Sequence, residues 1–127
     1  MILVDTSVWV DHLRTNEPVL AQLLLQNQVM CHLFVRVEIA LRNLQQRNKI
    51  LSALDNLPQA PLVFNEEVNF FIESYQLFGL GIGYIDSHLQ ASTRLLGNAS
   101  LWTRNKRLLL VATKLKIAAN FEATNQH

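Results

Sequence analysis

Met1-Ile2-Leu3-Val4-Asp5-Thr6-Ser7-Val8-Trp9-Val10-Asp11-His12-Leu13 opens the chain with an apolar β-type run at residues 2–4. The run ends on a carboxylate. Two hydroxyls and a helix-forming segment follow at once. In an open parallel sheet, ligands bind just beyond the carboxyl ends of the strands. Asp5 is therefore placed where such a fold keeps its chemistry, and the reading turns on whether other carboxylates join it.

Working outward, residues 7–14 and 18–26 read as helices, the second with Pro18 in its first turn and Leu20, Leu23 and Leu24 on one side. Residues 29–32 read as a second strand. Residues 34–44 read as a helix with Phe34, Val37, Leu41 and Leu44 as its apolar stripe, and 48–56 as a shorter one. Residues 61–64 give a third strand. Asn65 is expected to cap a helix that presents Val68, Phe71, Ile72, Tyr75 and Phe78 on one face. Gly79-Leu80-Gly81-Ile82-Gly83 has neither the preceding strand nor the spacing of a phosphate-cradling loop. It reads as a tight entry to a helix over 86–96 that stops at Gly97. Residues 100–102 form a fourth strand, 105–115 the last long helix, and 117–119 a possible edge strand. Strands alternating with helices predict one α/β domain over residues 1–127, its mostly parallel sheet of four to five strands covered on both faces.

With 127 residues and 50% hydrophobic content, the chain can bury a real core. No apolar run is long enough to span a bilayer. Met1 leads directly into a strand, so no signal peptide is expected. The lone cysteine, Cys31, fits a buried thiol in a reducing cytoplasm. Net charge is only +1, but the charges are segregated. Residues 51–86 contain no Lys or Arg, and residues 87–121 contain no Asp or Glu. The bases of the second stretch include Arg94, Arg104, Lys106 and Arg107; a further cluster is Arg36, Arg42, Arg47 and Lys49. Such asymmetry suits either a polyanion partner or an ordinary solvated surface.

Glu38 borders an apolar helical stripe, where a carboxylate needs compensation by a metal, a cationic partner, or Arg42 at i+4. Asp86 and Asp5 each have an alternative role as a cap or turn residue. Together, three acids at strand ends and helix faces would suit Mg²⁺ or Mn²⁺, which prefer oxygen ligands and can activate water against a phosphodiester. Asn105 reads as a helix cap or a peripheral contact. Ser7 and Thr6 could hydrogen-bond a metal-bound water. His88 could bind a metal, shuttle a proton, or simply pack. Nothing in the spacing suggests a covalent nucleophile or zinc.

Residues 1–14, 38–41, 81–89 and 101–108 appear in the order found in the PIN-domain ribonucleases, and the chain resembles the VapC-type toxins among them. The resemblance implies a three-layer α/β/α fold and a Mg²⁺-dependent endoribonuclease, with Mn²⁺ able to substitute. It implies Asp5, Glu38 and Asp86 as catalytic acids, with Asp5 and Asp86 as the principal metal ligands. The family's fourth acid is replaced by Asn105, and Arg36 stands where an apolar residue is usual, which would bring a positive charge near the site. The implied substrate is structured RNA, tRNA or ribosomal RNA, lying along Arg94, Arg104, Lys106 and Arg107. The implied partners are a cognate antitoxin and a second copy of the chain. The alternative is a catalytically weak module that binds antitoxin or RNA as a regulator. A phosphatase of another doubly wound fold is disfavoured, because Asp5-Thr6-Ser7 lacks the second aspartate of such a nucleophile motif.

Overall fold

The computed structural model describes residues 1–121. In chain order the elements are β1 (Ile2–Val4), α1 (Thr6–Thr15), α2 (Pro18–Leu25), β2 (Val29–Met30), α3 (Leu33–Ala40), α4 (Arg47–Asp55), α5 (Asn65–Tyr75), α6 (Tyr84–Leu96), β3 (Ser100–Trp102) and α7 (Lys106–Lys114). The strands are parallel in the order β2-β1-β3, with Leu3 opposite both Met30 and Leu101. Parallel neighbours need crossover helices, and crossovers that leave β1 in opposite directions put helices on both faces. Accordingly α1 packs on α3 and α3 on α4, whereas α5 packs on α6 and α6 on β3. Leu3, Val4, Val29, Leu101 and Trp102 are buried at the centre, joined by Val8, Leu20, Val35, Ile39, Leu89 and Leu108 from the helices.

The sheet is narrower than expected. Residues 61–64 do not form a strand; the chain pairs only once there, Gln59 with Cys31. Pro58 and Pro61 bracket this pairing, and a proline has no N–H to extend a ladder. The Pro61 carbonyl instead accepts from the Ser92 hydroxyl at 2.7 Å. The opposite edge at 117–119 is likewise one bridge, Ala118 to Leu101. Three strands with a single bridge on either side thus replace a sheet of four to five.

Two helices also differ. α3 stops at Ala40 rather than continuing to residue 44, and its buried stripe is Val35 and Ile39. Val37 and Leu41 face outward, 44% and 82% exposed. Glu38 consequently flanks the true stripe and is half-buried. α5 ends at Tyr75, where Gln76 turns left-handed, so Phe78 lies beyond it and is exposed. Asn65 is the first helical residue, not the cap; Glu67 Oε1 accepts the Phe64 N–H at 3.1 Å. α6 closes on Gly97 with φ +75°, a conformation glycine adopts without strain.

Candidate active site

β1 is central, β2 lies on one side and β3 on the other, so the strand order reverses at β1. Asp5 leaves the carboxyl end of β1, and Thr103 leaves that of β3. The crevice between them is the switch point at which open α/β sheets bind ligands. The Asp5 N–H still pairs with the Trp102 carbonyl at 2.9 Å, which fixes the backbone. Its side chain is 7% exposed and does not cap α1. Instead Oδ2 accepts from Ser7 Oγ and from Thr103 Oγ1, both at 2.7 Å. These hydroxyls are in turn oriented by the Arg104 N–H, which donates to Ser7 Oγ at 3.0 Å, and the Asn105 N–H, which donates to Thr103 Oγ1 at 3.1 Å.

Glu38 reaches the same end of the sheet from α3, its Oε1 accepting from Thr6 Oγ1 at 2.8 Å. Asp86 is the third residue of α6 rather than its cap. Its Oδ2 accepts weakly from the Gly83 N–H at 3.4 Å. Burial raises the Asp86 pKa above its ordinary value; the Gly83 N–H opposes this, and the negative charge of Asp5 adds to it. Each of the three carboxylates therefore has one oxygen held by the protein and a second that accepts no hydrogen bond among the described residues. None of them forms an ion pair among the described residues. The crevice thus collects negative charge that no ion pair among the described residues neutralises.

No protein-family model matches the chain. Two curated relatives do. The chain is 42% identical over 118 residues to Ribonuclease VapC32 of Mycobacterium tuberculosis, in strains CDC 1551 / Oshkosh and ATCC 25618 / H37Rv. The alignments cover 93% of this chain and 95% of each relative. The chain belongs to the VapC-type PIN-domain ribonuclease toxins. As a VapC-type ribonuclease it is a hydrolase of RNA, and the open carboxylate oxygens stand where the fold expects its chemistry.

The donor chemistry of the VapC-type site fits a hard divalent cation. Among the described residues, no three His, Cys, Asp or Glu side chains converge closely enough to enclose a metal. Mg²⁺ commonly takes one or two carboxylates and keeps several waters. The electrostatically coupled Asp5 and Asp86 match that requirement.

The remaining candidates separate clearly. Asn105 is exposed, and its Oδ1 caps α7, accepting from the Arg107 and Leu108 N–H groups at 3.0 and 3.1 Å. His88 is 2% exposed with neither ring nitrogen hydrogen-bonded among the described residues. It lies edge-on to Tyr84 and Phe34, with centroids 4.5 and 4.9 Å away, so it packs rather than faces the acids. Arg36 does not bring charge to the crevice. It makes a double hydrogen bond to Asp55 at 3.0 and 3.1 Å, tying α3 to α4, because a residue two before Glu38 lies on another side of the helix. The expected Glu38–Arg42 pair does not form.

The basic stretch is not one continuous strip. Arg104 pairs with Asp11 at 2.7 Å and Glu17 at 2.5 Å and lies over the Trp102 ring, so it ties the loop after β3 to α1 and α2. The Arg94 guanidinium donates to the Leu115 carbonyl and covers Tyr75. Lys106 and Arg107 are exposed at the start of α7. Arg107 packs on the glycine loop: a Cβ on Gly81, whose φ is +78°, would meet its Cδ at 2.8 Å. The residue that sequence reasoning missed is Thr103. Its signal was a hydroxyl directly after the β3 run, mirroring Thr6 and Ser7 after β1.

Proposed function

We propose that this chain is a Mg²⁺-dependent endoribonuclease toxin that cuts structured RNA, with tRNA or ribosomal RNA as its substrate class. The observation that carries the reading is the set of three carboxylates, each tethered by one oxygen and open at the other, with no ion pair among the described residues. Asp5 and Asp86 would hold the metal, and Mn²⁺ would substitute. The bound ion would neutralise the scissile phosphate and lower the pKa of the attacking water. Glu38, steadied by Thr6, orients that water. Ser7 and Thr103 hold Asp5 in place through its Oδ2. Lys106 and Arg107 meet the RNA backbone, which makes binding salt-dependent.

The VapC name of the relatives supports an antitoxin partner encoded alongside. Leu13 and Ile50 line two adjoining recesses, one apolar beside Trp9 and Leu57, the other edged by Arg14 and Arg42. Such a surface suits a mixed apolar and charged peptide. A homodimer is supported by the apolar groove of about 610 Å³ that Phe70, Phe71, Tyr75 and Leu95 line between α5 and α6. Among the early apolar residues, Val8, Trp9 and Leu20 are core, Leu23, Leu24 and Leu44 are partly buried against it, and Leu25 and Leu41 are exposed. No helix is long and apolar enough to cross a membrane among the described residues.

The test is to map RNA 5′ ends in cells after brief induction and to repeat the cut with purified protein. A discrete cut that needs Mg²⁺ and vanishes with chelator is expected. The regulator reading draws on one observation, the engagement of the Asn105 oxygen in a helix cap. Intact RNA at every Mg²⁺ concentration would favour it.

A further inference from the structure

Beside the acids lies an aromatic surface that the proposed chemistry does not use. Phe34 is one helical turn before Glu38 on α3, so the two share a face. Tyr84 starts α6, two residues before Asp86. Their rings stack with centroids 6.3 Å apart and planes 29° from parallel. Three residues fix the pair. The Tyr84 hydroxyl donates to Asn65 Oδ1 at 2.5 Å. His88 sits edge-on beneath both rings, and His32 lies edge-on to Phe34 at 5.0 Å. Despite this bracing, Tyr84 remains 58% exposed. A rigid aromatic ring with an open face, next to phosphodiester chemistry, loses little entropy when a second flat ring covers it.

We propose that Tyr84, backed by Phe34, is a stacking platform for one unpaired nucleobase of the RNA beside the scissile phosphate. This rests on the ribonuclease reading and adds a substrate requirement: the cut falls next to a base that can leave its helix, as in a loop or bulge. Because Glu38 lies one turn along α3, a base on Tyr84 leaves the adjacent phosphodiester close to the acids. Arg107, against Gly81 in the loop that leads to Tyr84, faces the neighbouring backbone charge. Because every base has a π-face, the platform selects for an unstacked nucleotide more than for its identity.

The test uses Asp5→Asn protein, which retains the platform, and single-stranded RNA carrying 2-aminopurine at successive positions. Fluorescence should be quenched at one position. In the Asp5→Asn background, Tyr84→Leu should abolish that quench and weaken binding roughly ten- to hundredfold, while Tyr84→Trp should preserve both. With Asp5 intact, an abasic nucleotide at the same position should slow cleavage as much as Tyr84→Leu, and the two changes should not compound. Equal cleavage of intact RNA by the parent and Tyr84→Leu would overturn the platform and leave the ribonuclease reading standing. A position-specific quench without any cleavage by the parent would do the reverse. Conversion of a dimer to a monomer by Tyr84→Leu would assign this face to a second copy instead and overturn the proposal.

Discussion

Asp5 is a buried carboxylate stabilised by two hydroxyls rather than by a cation. Hydrogen bonds to the charged form offset part of its desolvation and leave one oxygen open. Thr103→Val removes one of these bonds at nearly constant volume. It should cost about 1–2 kcal/mol of stability and lower RNA cleavage roughly tenfold; urea melts and initial rates measure the two effects separately. Asn105 illustrates a different balance. Its oxygen caps α7, and an aspartate caps equally well while adding charge and a second oxygen. Asn105→Asp should therefore preserve stability and tighten Mg²⁺ or Mn²⁺ binding. An unchanged metal titration would leave position 105 as a cap alone. At this scale the sequence singled out Asp5, because a carboxylate directly after an apolar strand is a visible signal, whereas Glu38 and Asp86 lie within helices and are brought to it by the resemblance. It did not single out Thr103, because a hydroxyl after the β3 run gains its meaning only when β3 lies beside β1 and brings it onto Asp5.

Among the elements, α3 shows why part of the reading shifted. Its apolar residues allow two phases, and contact with α1 selects Val35 and Ile39 over Val37 and Leu41. Periodicity alone does not choose between them. The expected strand over 61–64 has β-type residues, but flanking prolines and the Ser92 hydroxyl take the place of a ladder. His32, at the head of α3, is part of the same join. Its Nδ1 accepts the Phe34 N–H at 3.0 Å, so Nε2 carries the proton and faces Ser92 Oγ at 3.2 Å. Burial, reinforced by the neighbouring His88, lowers its pKa from 6.5 to about 4. The folded state thus favours neutral His32, while the unfolded chain takes up a proton near pH 6.5. Stability from this group is complete above that pH and declines as pH falls toward 4, by roughly 3 kcal/mol over the window. His32→Asn keeps a cap acceptor and removes the titration. Urea midpoints should then fall less between pH 7 and 5 than in the parent. An identical fall would show that another group governs acid sensitivity.

The described residues build a three-stranded parallel sheet whose order reverses at β1, with the loop after β3 clamped to α1 and α2 through Arg104, Asp11 and Glu17. This clamp keeps Thr103 beside Asp5, although the partners are separated by nearly the whole chain. The alternation of strands and helices made the α/β class legible from the sequence. The loss of Arg94 and Arg104 from any continuous basic strip was not legible, because their acceptors become neighbours only in the fold. Tertiary structure likewise brings Asp86, which starts the chain's second half of chemistry, into the field of Asp5. Without metal, that proximity is unfavourable, and Asp86→Asn should raise thermal stability slightly, on the order of 0.5 kcal/mol. With metal, the same proximity becomes the binding site. The central claim is tested most directly by calorimetric Mg²⁺ titration of the parent, Asp5→Asn and Asp86→Asn proteins, with RNA cleavage followed in parallel. The account predicts saturable binding by the parent, binding weakened at least tenfold in either variant, and loss of cleavage with retained folding. Equal Mg²⁺ affinity and equal cleavage in all three proteins would contradict it.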